Sequence, residues 1–184
     1  MSLKILTTDI EGLTAELQPM FGTIEGAVYH MLPGGTENPE GFDGKILDLY
    51  AFSAKGRGTA RGGHYHPVLD EFFFTLSGTA LWIFSDFRET SPTKGKTIGM
   101  IVGVEAPSES HGLPTFVMAD GSLPRVRVPA GVYHALFPLT DERVTTTAVG
   151  STPYDKNDYR YPKLEEVPGA REILEKFGIK PTSE

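Results

Sequence analysis

Two histidines and a glutamate in one short segment have the spacing of a metal-binding site. His64 and His66 lie in Gly58–Gly78, which reads GTARGGHYHPVLDEFFFTLSG. Residues two apart on a β-strand point to the same face of the sheet, so the two imidazoles would share a face. Pro67–Asp70 can turn the chain, and Glu71 opens a strand that we expect to pair with the first. Two imidazoles and a carboxylate would then suit a divalent ion such as manganese, iron, nickel or zinc.

A second segment supplies a fourth candidate ligand. Pro129–His134 (PAGVYH) predicts a turn followed by a strand, and it ends in a third histidine. A metal held by three histidines and one glutamate would keep one or two coordination positions for water or a substrate oxygen. The alternative is a barrel that keeps these residues without a metal, since a single histidine on a strand more often packs or lies on the surface. The candidate ligands are His64, His66, Glu71 and His134.

Both segments resemble the sequence motifs of the cupin family. The first motif is G, five residues, HxH, three or four residues, E, six residues, G, and the second contains PxGxxH. They are matched by Gly58, His64, His66, Glu71 and Gly78, and by Pro129, Gly131 and His134. Pro138 stands where an asparagine is common, and the glycine expected ahead of PxGxxH is displaced, with Gly121 the nearest. The resemblance implies an all-β, cupin-type jelly-roll barrel with a metal bound inside it.

A narrower resemblance is to the dTDP-4-dehydrorhamnose 3,5-epimerase family of cupins. It rests on RGGH at Arg61–His64, SDFRETSPTKGK at Ser85–Lys96, PAGVYHALFPLTDE at Pro129–Glu142 and DYRYPKLEE at Asp158–Glu166. Members of this family are dimers that act on nucleotide-diphosphate sugars, remove a proton next to a keto group and need no metal. The resemblance implies that His64 stands at the position of the catalytic base and Arg61 at that of a pocket arginine.

The chain departs from these epimerases in two respects. The family's catalytic tyrosine should fall near Thr147, where there is no tyrosine, and the family lacks the pair formed by His66 and Glu71. The sequence therefore predicts a relative of the epimerases that has a metal in its pocket. If His64 binds that metal, Glu71 becomes the candidate base. Further candidates for the pocket are Tyr50, Tyr133 and Arg125, although Tyr133 faces away from His134 and is expected to pack.

Three functions remain open. The first is a metal-dependent isomerase or epimerase of a nucleotide sugar or sugar phosphate, because GHYHPVLDE also resembles the metal-site strand of the cupin-type phosphoglucose isomerases. Its phosphate would bind the basic loop of Lys55, Arg57 and Arg61, for which a solvated loop is the alternative. The second is an iron-dependent dioxygenase, which uses similar ligands. The third is a non-catalytic cupin that binds a sugar or another metabolite.

The composition narrows the class of protein. The chain has 184 residues with 21 glycines and 14 prolines, which favours a turn-rich β domain over a helical one. Its net charge of -7 argues against a nucleic-acid partner. It has no cysteine, which excludes disulfides and a thiol nucleophile. No apolar stretch approaches about 18 residues and no signal-peptide core is present, so we expect a cytoplasmic protein without a membrane span.

The segments of the chain predict a single domain. It consists of an arm at 1–24, a barrel at 25–150 and a C-terminal wrap at 151–184, with a short helix over Gly169–Phe177. The insertion at 86–112 contains one strand near Thr97–Val104. Three hairpins are expected in the barrel: Glu71–Ser77 with the strand after Gly78, Thr115–Met118 with Pro124–Val128, and Gly131–Phe137 with Arg143–Val149.

The strands on either side of Gly78 are apolar on both faces. Trp82 and Phe84 oppose Leu81 and Ile83 across the second strand. A sheet with one face in water would alternate apolar and polar residues, so the outer face must be covered. Either the N-terminal arm or a second subunit could cover it, and we predict a homodimer.

Overall fold

The protein is an all-β barrel of two facing sheets, which confirms the predicted jelly roll. The computed structural model describes residues 5–23, 26–29, 46–118 and 122–180, which form twelve strands and one α-helix. The strands are β1 (Ile5–Thr7), β2 (Thr14–Thr23), β3 (Gly26–Tyr29), β4 (Asp48–Ala54), β5 (Arg61–His64), β6 (Glu71–Ser77), β7 (Thr79–Asp86), β8 (Thr97–Gly103), β9 (Thr115–Val117), β10 (Ser122–Val128), β11 (Val132–Pro138) and β12 (Val144–Gly150). The helix is α1 (Ala170–Lys176), and a 3-10 turn at Leu164–Glu166 precedes it.

The strands divide into a larger and a smaller sheet. The larger sheet has the order β1-β2-β10-β6-β12-β4, with β3 beside β2, and the smaller has the order β5-β11-β7-β8-β9. Every described pairing is antiparallel except that of β8 with β9. The inner faces enclose the core, where Phe73 of one sheet stacks on Trp82 of the other with 4.9 Å between ring centroids.

The three predicted hairpins are wrong, because the two strands of each lie in different sheets. β6 belongs to the larger sheet and β7 to the smaller, and the same division separates β9 from β10 and β11 from β12. The expected pairing of β5 with β6 is wrong for the same reason, since β5 pairs with β11. A short turn keeps the ends of two consecutive strands close together, but it does not determine which strands they pair with. The predicted turn at 119–121, including Gly121, lies outside the described residues.

The crossover at Gly78 shows how tightly the two sheets are joined. Gly78 has a φ of +66°, and a Cβ atom there would lie 2.9 Å from the Val144 Cγ2 atom and 3.0 Å from the Arg143 carbonyl oxygen. A larger residue would be strained in conformation and would also clash. The glycine that ends the first cupin motif therefore serves the crossing between sheets.

The outer face of the smaller sheet is covered by the C-terminal part of the same chain. Leu81 and Ile83 of β7 pack in one buried cluster with Val167, Ala170 and Leu174. This covering differs from both the arm and the second subunit that the sequence suggested, because the apolar positions of a seven-residue helix could not be assigned to a sheet in advance. The homodimer remains a prediction.

The remaining elements are placed as follows. The predicted C-terminal helix and the strand of the insertion are confirmed as α1 and β8. In the segment predicted as an arm, β1 and β2 join the larger sheet, where β2 pairs with β10. Within the described residues, no helix combines the length and the apolar character needed to span a bilayer.

Candidate metal centre

Three histidines converge inside the barrel mouth. His64 ends β5, His66 follows it, and His134 lies on β11 directly opposite His64 in the antiparallel register. One ring nitrogen from each lies within 4.8 Å of the others. His66 and His134 are only 2% and 3% exposed. The two sequence motifs thus meet through the pairing of β5 with β11.

The hydrogen bonds of the rings fix which nitrogen faces the cluster. Nδ1 of His66 lies 2.6 Å from the carbonyl oxygen of Asp158, and Nδ1 of His134 lies 3.2 Å from that of Val132. A carbonyl oxygen only accepts, so Nδ1 carries the proton in both rings and Nε2 keeps a lone pair. The backbone of Gly62 holds the His64 ring in a comparable way. This is how ligating histidines are oriented around metals in general.

The three rings are held in their neutral forms. Burial lowers the pKa of His64 to about 4, and the adjacent His66 ring acts in the same direction. Burial also lowers the pKa of His66 and the pKa of His134. Neutral imidazole is the form that donates a lone pair to a metal, so the cluster needs no deprotonation step near neutral pH.

Glu71 places a carboxylate beside two of the rings. Its Oε2 atom lies 3.6 Å from Nε2 of His66 and 3.5 Å from Nε2 of His134, while its Oε1 atom accepts a hydrogen bond from the Tyr50 hydroxyl. The side chain is 1% exposed, and burial raises its pKa to about 8, with the Tyr50 hydrogen bond acting against that shift. Glu71 therefore favours its protonated form at neutral pH, and a nearby positive charge would favour ionisation.

The histidine cluster has a buried nitrogen that no described residue hydrogen-bonds, unlike a cluster that only stabilises the fold. Nε2 of His66 is buried and has no hydrogen-bond partner among the residues that the structure describes. Buried polar atoms are rarely left unpaired unless a ligand or solvent completes them. Three neutral imidazoles with one adjacent carboxylate are a donor set for manganese, iron, nickel or zinc. His64, His66, His134 and Glu71 could therefore hold such an ion.

The turn before His134 is locked to the turn after His66. The Gly131 N–H donates to the His66 carbonyl oxygen at 2.7 Å, and the Ala130 N–H donates to Asp70 Oδ1 at 2.8 Å. Gly131 has a φ of +80°, and a Cβ atom there would lie 2.3 Å from Arg88 Cγ. The glycine of PxGxxH is thus required by its backbone conformation and by its neighbour.

A cavity of about 180 Å³ opens onto His64 and His134. Its wall includes Tyr50, Arg61 and Tyr159, together with apolar side chains from both sheets, namely Phe52, Phe73 and Trp82. An apolar pocket with a few polar groups is typical of a small-molecule site.

Of the three basic side chains predicted to bind phosphate, Arg61 lines this cavity. Two of its five N–H groups donate to the carbonyl oxygens of Ser53 and Ala60, each at 3.0 Å. Arg57 instead lies 3.9 Å from Asp141, and Lys55 is exposed on the loop. Among the other pocket candidates, Tyr50 lines the cavity, whereas Tyr133 packs in the outer apolar cluster and Arg125 pairs with Glu16 at 2.5 Å.

The C-terminal segment contributes groups that the sequence did not assign to the site. The Tyr159 ring centroid lies 5.0 Å from that of His64 and 4.3 Å from that of His66, and Tyr161 stacks on Tyr159 at 5.9 Å. The Asp158 carboxylate accepts the N–H groups of Val68 and Leu69, each at 3.0 Å. Only the resemblance of DYRYPKLEE to the epimerases indicated that this stretch matters.

Comparisons with known proteins place the fold. A dTDP sugar isomerase from Desulfovibrio desulfuricans G20 has a TM-score of 0.67 and 16% identity over 91% of this chain and 92% of its own. The dTDP-4-dehydrorhamnose 3,5-epimerase of Elizabethkingia anophelis NUHP1 has a TM-score of 0.65 and 20% identity over 90% and 82%. A 3'-monoepimerase from Streptomyces bikiniensis, solved with dTDP-quinovose, has a TM-score of 0.67 and 20% identity over 95% and 80%.

The sequence comparisons give no closer assignment. No protein-family model matches the chain, and no curated protein sequence does. The likeness to these structures covers at least 90% of this chain and at least 80% of each of theirs. The chain therefore has the cupin jelly-roll fold of the dTDP-sugar epimerases and isomerases.

Proposed function

We propose that this protein is a metal-dependent epimerase or isomerase that acts on a sugar bearing phosphate, as in a nucleotide sugar. The observation that carries the proposal is the orientation of the buried imidazoles: Nδ1 of His66 and of His134 donates to a backbone carbonyl, and Nε2 of each points at Glu71. The fold of dTDP-sugar epimerases supports the choice of substrate class.

Each residue of the cluster would have its own role in the reaction. His64, His66 and His134 would hold a divalent ion, and the ion when bound would polarise a carbonyl or hydroxyl oxygen of the sugar. Glu71 lies beside the cluster and would either complete the ligand set or take the proton from the adjacent carbon. Tyr50 orients Glu71 through its hydrogen bond. A base with a pKa near the working pH can both take and return a proton.

The walls of the cavity would position the substrate. Phe52, Phe73 and Trp82 exclude water from one side of the cluster. Arg61 lies where its remaining N–H groups could bind a phosphate oxygen, for which a guanidinium is well shaped. The Streptomyces bikiniensis monoepimerase was solved with dTDP-quinovose, and a dTDP-linked sugar is accordingly our first candidate here.

Proton exchange tests this proposal. The protein, freed of metal and then loaded with manganese, iron, nickel or zinc, is incubated in D₂O with a dTDP-linked 4-keto sugar, and deuterium is located by NMR. We expect incorporation next to the keto group by the loaded protein, and loss of incorporation in both His66→Ala and His64→Asn. Glu71→Gln separates the two roles of the carboxylate: a base would lose exchange while metal content is kept, and a ligand would lose both.

A second candidate is a metal-free epimerase in which His64 takes the proton. The favouring observation is the position of His64, which lines the cavity beside Arg61 with its ring in the neutral form that can accept a proton. Exchange that survives metal removal and His66→Ala but not His64→Asn would establish this function. Oxygen consumption by the iron-loaded protein, without exchange, would instead indicate the dioxygenase.

A further inference from the structure

A second cavity shares Tyr50 and Tyr159 with the cavity at Arg61 but differs in charge. It has a volume of about 350 Å³ and opens onto His66. Three carboxylates line it, those of Asp48, Asp155 and Asp158, and none of its described lining residues is a lysine or an arginine. The histidine cluster thus borders one cavity that contains Arg61 and a neighbouring cavity with three acidic side chains.

The buried His66 ring marks this cavity as more than a group of surface acids. The ring forms part of the wall, is 2% exposed, and has no hydrogen-bond partner at Nε2. Its other nitrogen, Nδ1, is already bonded to the Asp158 carbonyl oxygen. A ligand in this cavity would therefore lie against the same cluster that the proposed reaction uses.

The three carboxylates differ in what they already bind. Both oxygens of Asp158 accept backbone N–H groups of the turn after His66, and Oδ1 of Asp155 accepts two hydrogen bonds from Asn157. Asp48 is half-buried and makes no side-chain hydrogen bond or ion pair with any described residue. It lies two positions before Tyr50 on β4 and shares its face. Among the described residues that line the cavity, Asp48 is therefore the carboxylate with both oxygens left for a ligand.

We propose that this cavity binds the uncharged, hydroxyl-bearing ring of the substrate sugar, with Asp48 accepting hydrogen bonds from its hydroxyl groups, and that it rejects sugars carrying a carboxylate. Sugar hydroxyls are donors that suit carboxylate oxygens, and the Tyr154 and Tyr159 rings offer apolar faces to the C–H side of the sugar. A carboxylate on the sugar would be repelled by the acidic wall, which is specificity by unfavourable contact. The inference rests on the proposed function and names the sugar that it prefers.

Binding measurements test this specificity directly. Calorimetric dissociation constants are measured for the protein with dTDP, with its glucose ester and with the matching glucuronate ester. We expect the glucose ester to bind at least about tenfold more tightly than the glucuronate ester, because the glucuronate carboxylate would be repelled by that of Asp48 in a partly buried cavity. Asp48→Asn should reduce that ratio several-fold and leave the dissociation constant for dTDP unchanged. The matched control is Glu175→Gln, which removes one exposed charge from α1 and should keep the ratio.

Each outcome decides the inference. Equal affinity for the two esters, a ratio that Asp48→Asn leaves unchanged, or no binding of the glucose ester by the folded protein would overturn it. Failure of the proposed function would look different: the glucose ester would bind with the expected preference, but a keto sugar would show no deuterium exchange.

Discussion

Two buried polar clusters in this barrel are built on opposite principles. At the end of β7, the Asp86 carboxylate is 1% exposed and receives hydrogen bonds from Arg88, Ser91 and Thr93 at distances of 2.5–3.0 Å. At the barrel mouth, Glu71 is as deeply buried, but within the described part of the chain it receives one hydrogen bond, from Tyr50, and the neighbouring Nε2 of His66 receives none.

The two clusters differ in the charge state that they favour. Burial acts to raise the pKa of Asp86, but the hydrogen bonds from Arg88, Ser91 and Thr93 outweigh it and hold that pKa well below its ordinary value. Burial raises the pKa of Glu71 to about 8 and lowers that of His64 to about 4. The Asp86 cluster supplies the hydrogen bonds that its carboxylate needs and thereby stabilises a loop. The Glu71 cluster instead holds neutral electron-pair donors close together, which suits an added cation.

The largest expected effect is a pH-dependent instability caused by Glu71. Because its pKa is raised from 4.5 to about 8 on folding, its contribution to stability is present below pH 4.5 and is lost as the pH rises through 8. We compare the unfolding free energies of metal-free Glu71→Gln and metal-free wild type. The difference between them, variant minus wild type, should be roughly 4 kcal/mol larger at mildly alkaline pH than at acid pH. Urea unfolding in the presence of a chelator measures this difference.

The comparison with wild type removes the effect of the histidines. Their lowered pKa values destabilise both proteins alike as the pH falls, so the difference between the proteins reports Glu71. A difference that is constant with pH would mean that Glu71 is ionised in the metal-free protein and that the contrast with Asp86 does not hold.

The next effect is a loss of stability when the satisfied cluster is broken. Asp86→Asn leaves the Arg88 guanidinium, 22% exposed, with the more distant Glu11 carboxylate at 4.0 Å in place of its close partner, and we expect a loss of about 2–3 kcal/mol at neutral pH. The contribution is present above the ordinary aspartate pKa and should disappear as the pH falls below it, which is opposite in sign to Glu71. Glu89→Gln is the control, since that exposed side chain forms a surface ion pair with Lys94 and its loss should not change the stability measurably.

The smallest effect concerns the residue that orients His66. Asp158→Ala removes the carboxylate that holds the Val68 and Leu69 N–H groups, and thereby frees the backbone carbonyl that binds Nδ1 of His66. We expect a loss of about tenfold to a hundredfold in metal affinity with the barrel still folded. Asp158→Asn, which keeps one acceptor, should recover part of it. An affinity unchanged by Asp158→Ala would show that His66 is oriented by other contacts.

The sequence predicts the type of fold better than its connections. The resemblance to the cupin motifs indicated a jelly roll, and the helix and the strand of the insertion were expected near their observed bounds. The hairpins were not predictable in this way, because β6 and β7 are apolar on both faces and would suit either sheet. Pairing depends on contacts between strands far apart in the chain, such as β5 with β11.

The candidate site likewise contains residues that the sequence predicted and residues that it did not. The spacing of the motifs predicted that His64, His66 and His134 would meet, and they do, with His66 just past the end of β5. The contribution of Tyr159 and Asp158 could not be derived from spacing, since they reach the cluster through an irregular segment held by the bridge between Tyr65 and Arg160 and by the hydrogen bonds of Asp158. The burial of Glu71 and its hydrogen bond with Tyr50 likewise depend on how the strands of the larger sheet pair.

Metal content measured by elemental mass spectrometry tests the central claim most directly. Tag-free wild type, His66→Ala and the control His111→Ala, whose ring lies away from the cluster and next to Glu109, are incubated with manganese, iron, nickel or zinc and freed of excess ion. The chain's single tryptophan, Trp82, borders the site, and quenching of its fluorescence by nickel gives a second readout. We predict about one equivalent of ion in wild type and His111→Ala and none in His66→Ala. Folded wild-type protein that takes up no ion, or His66→Ala that retains it, would contradict the account.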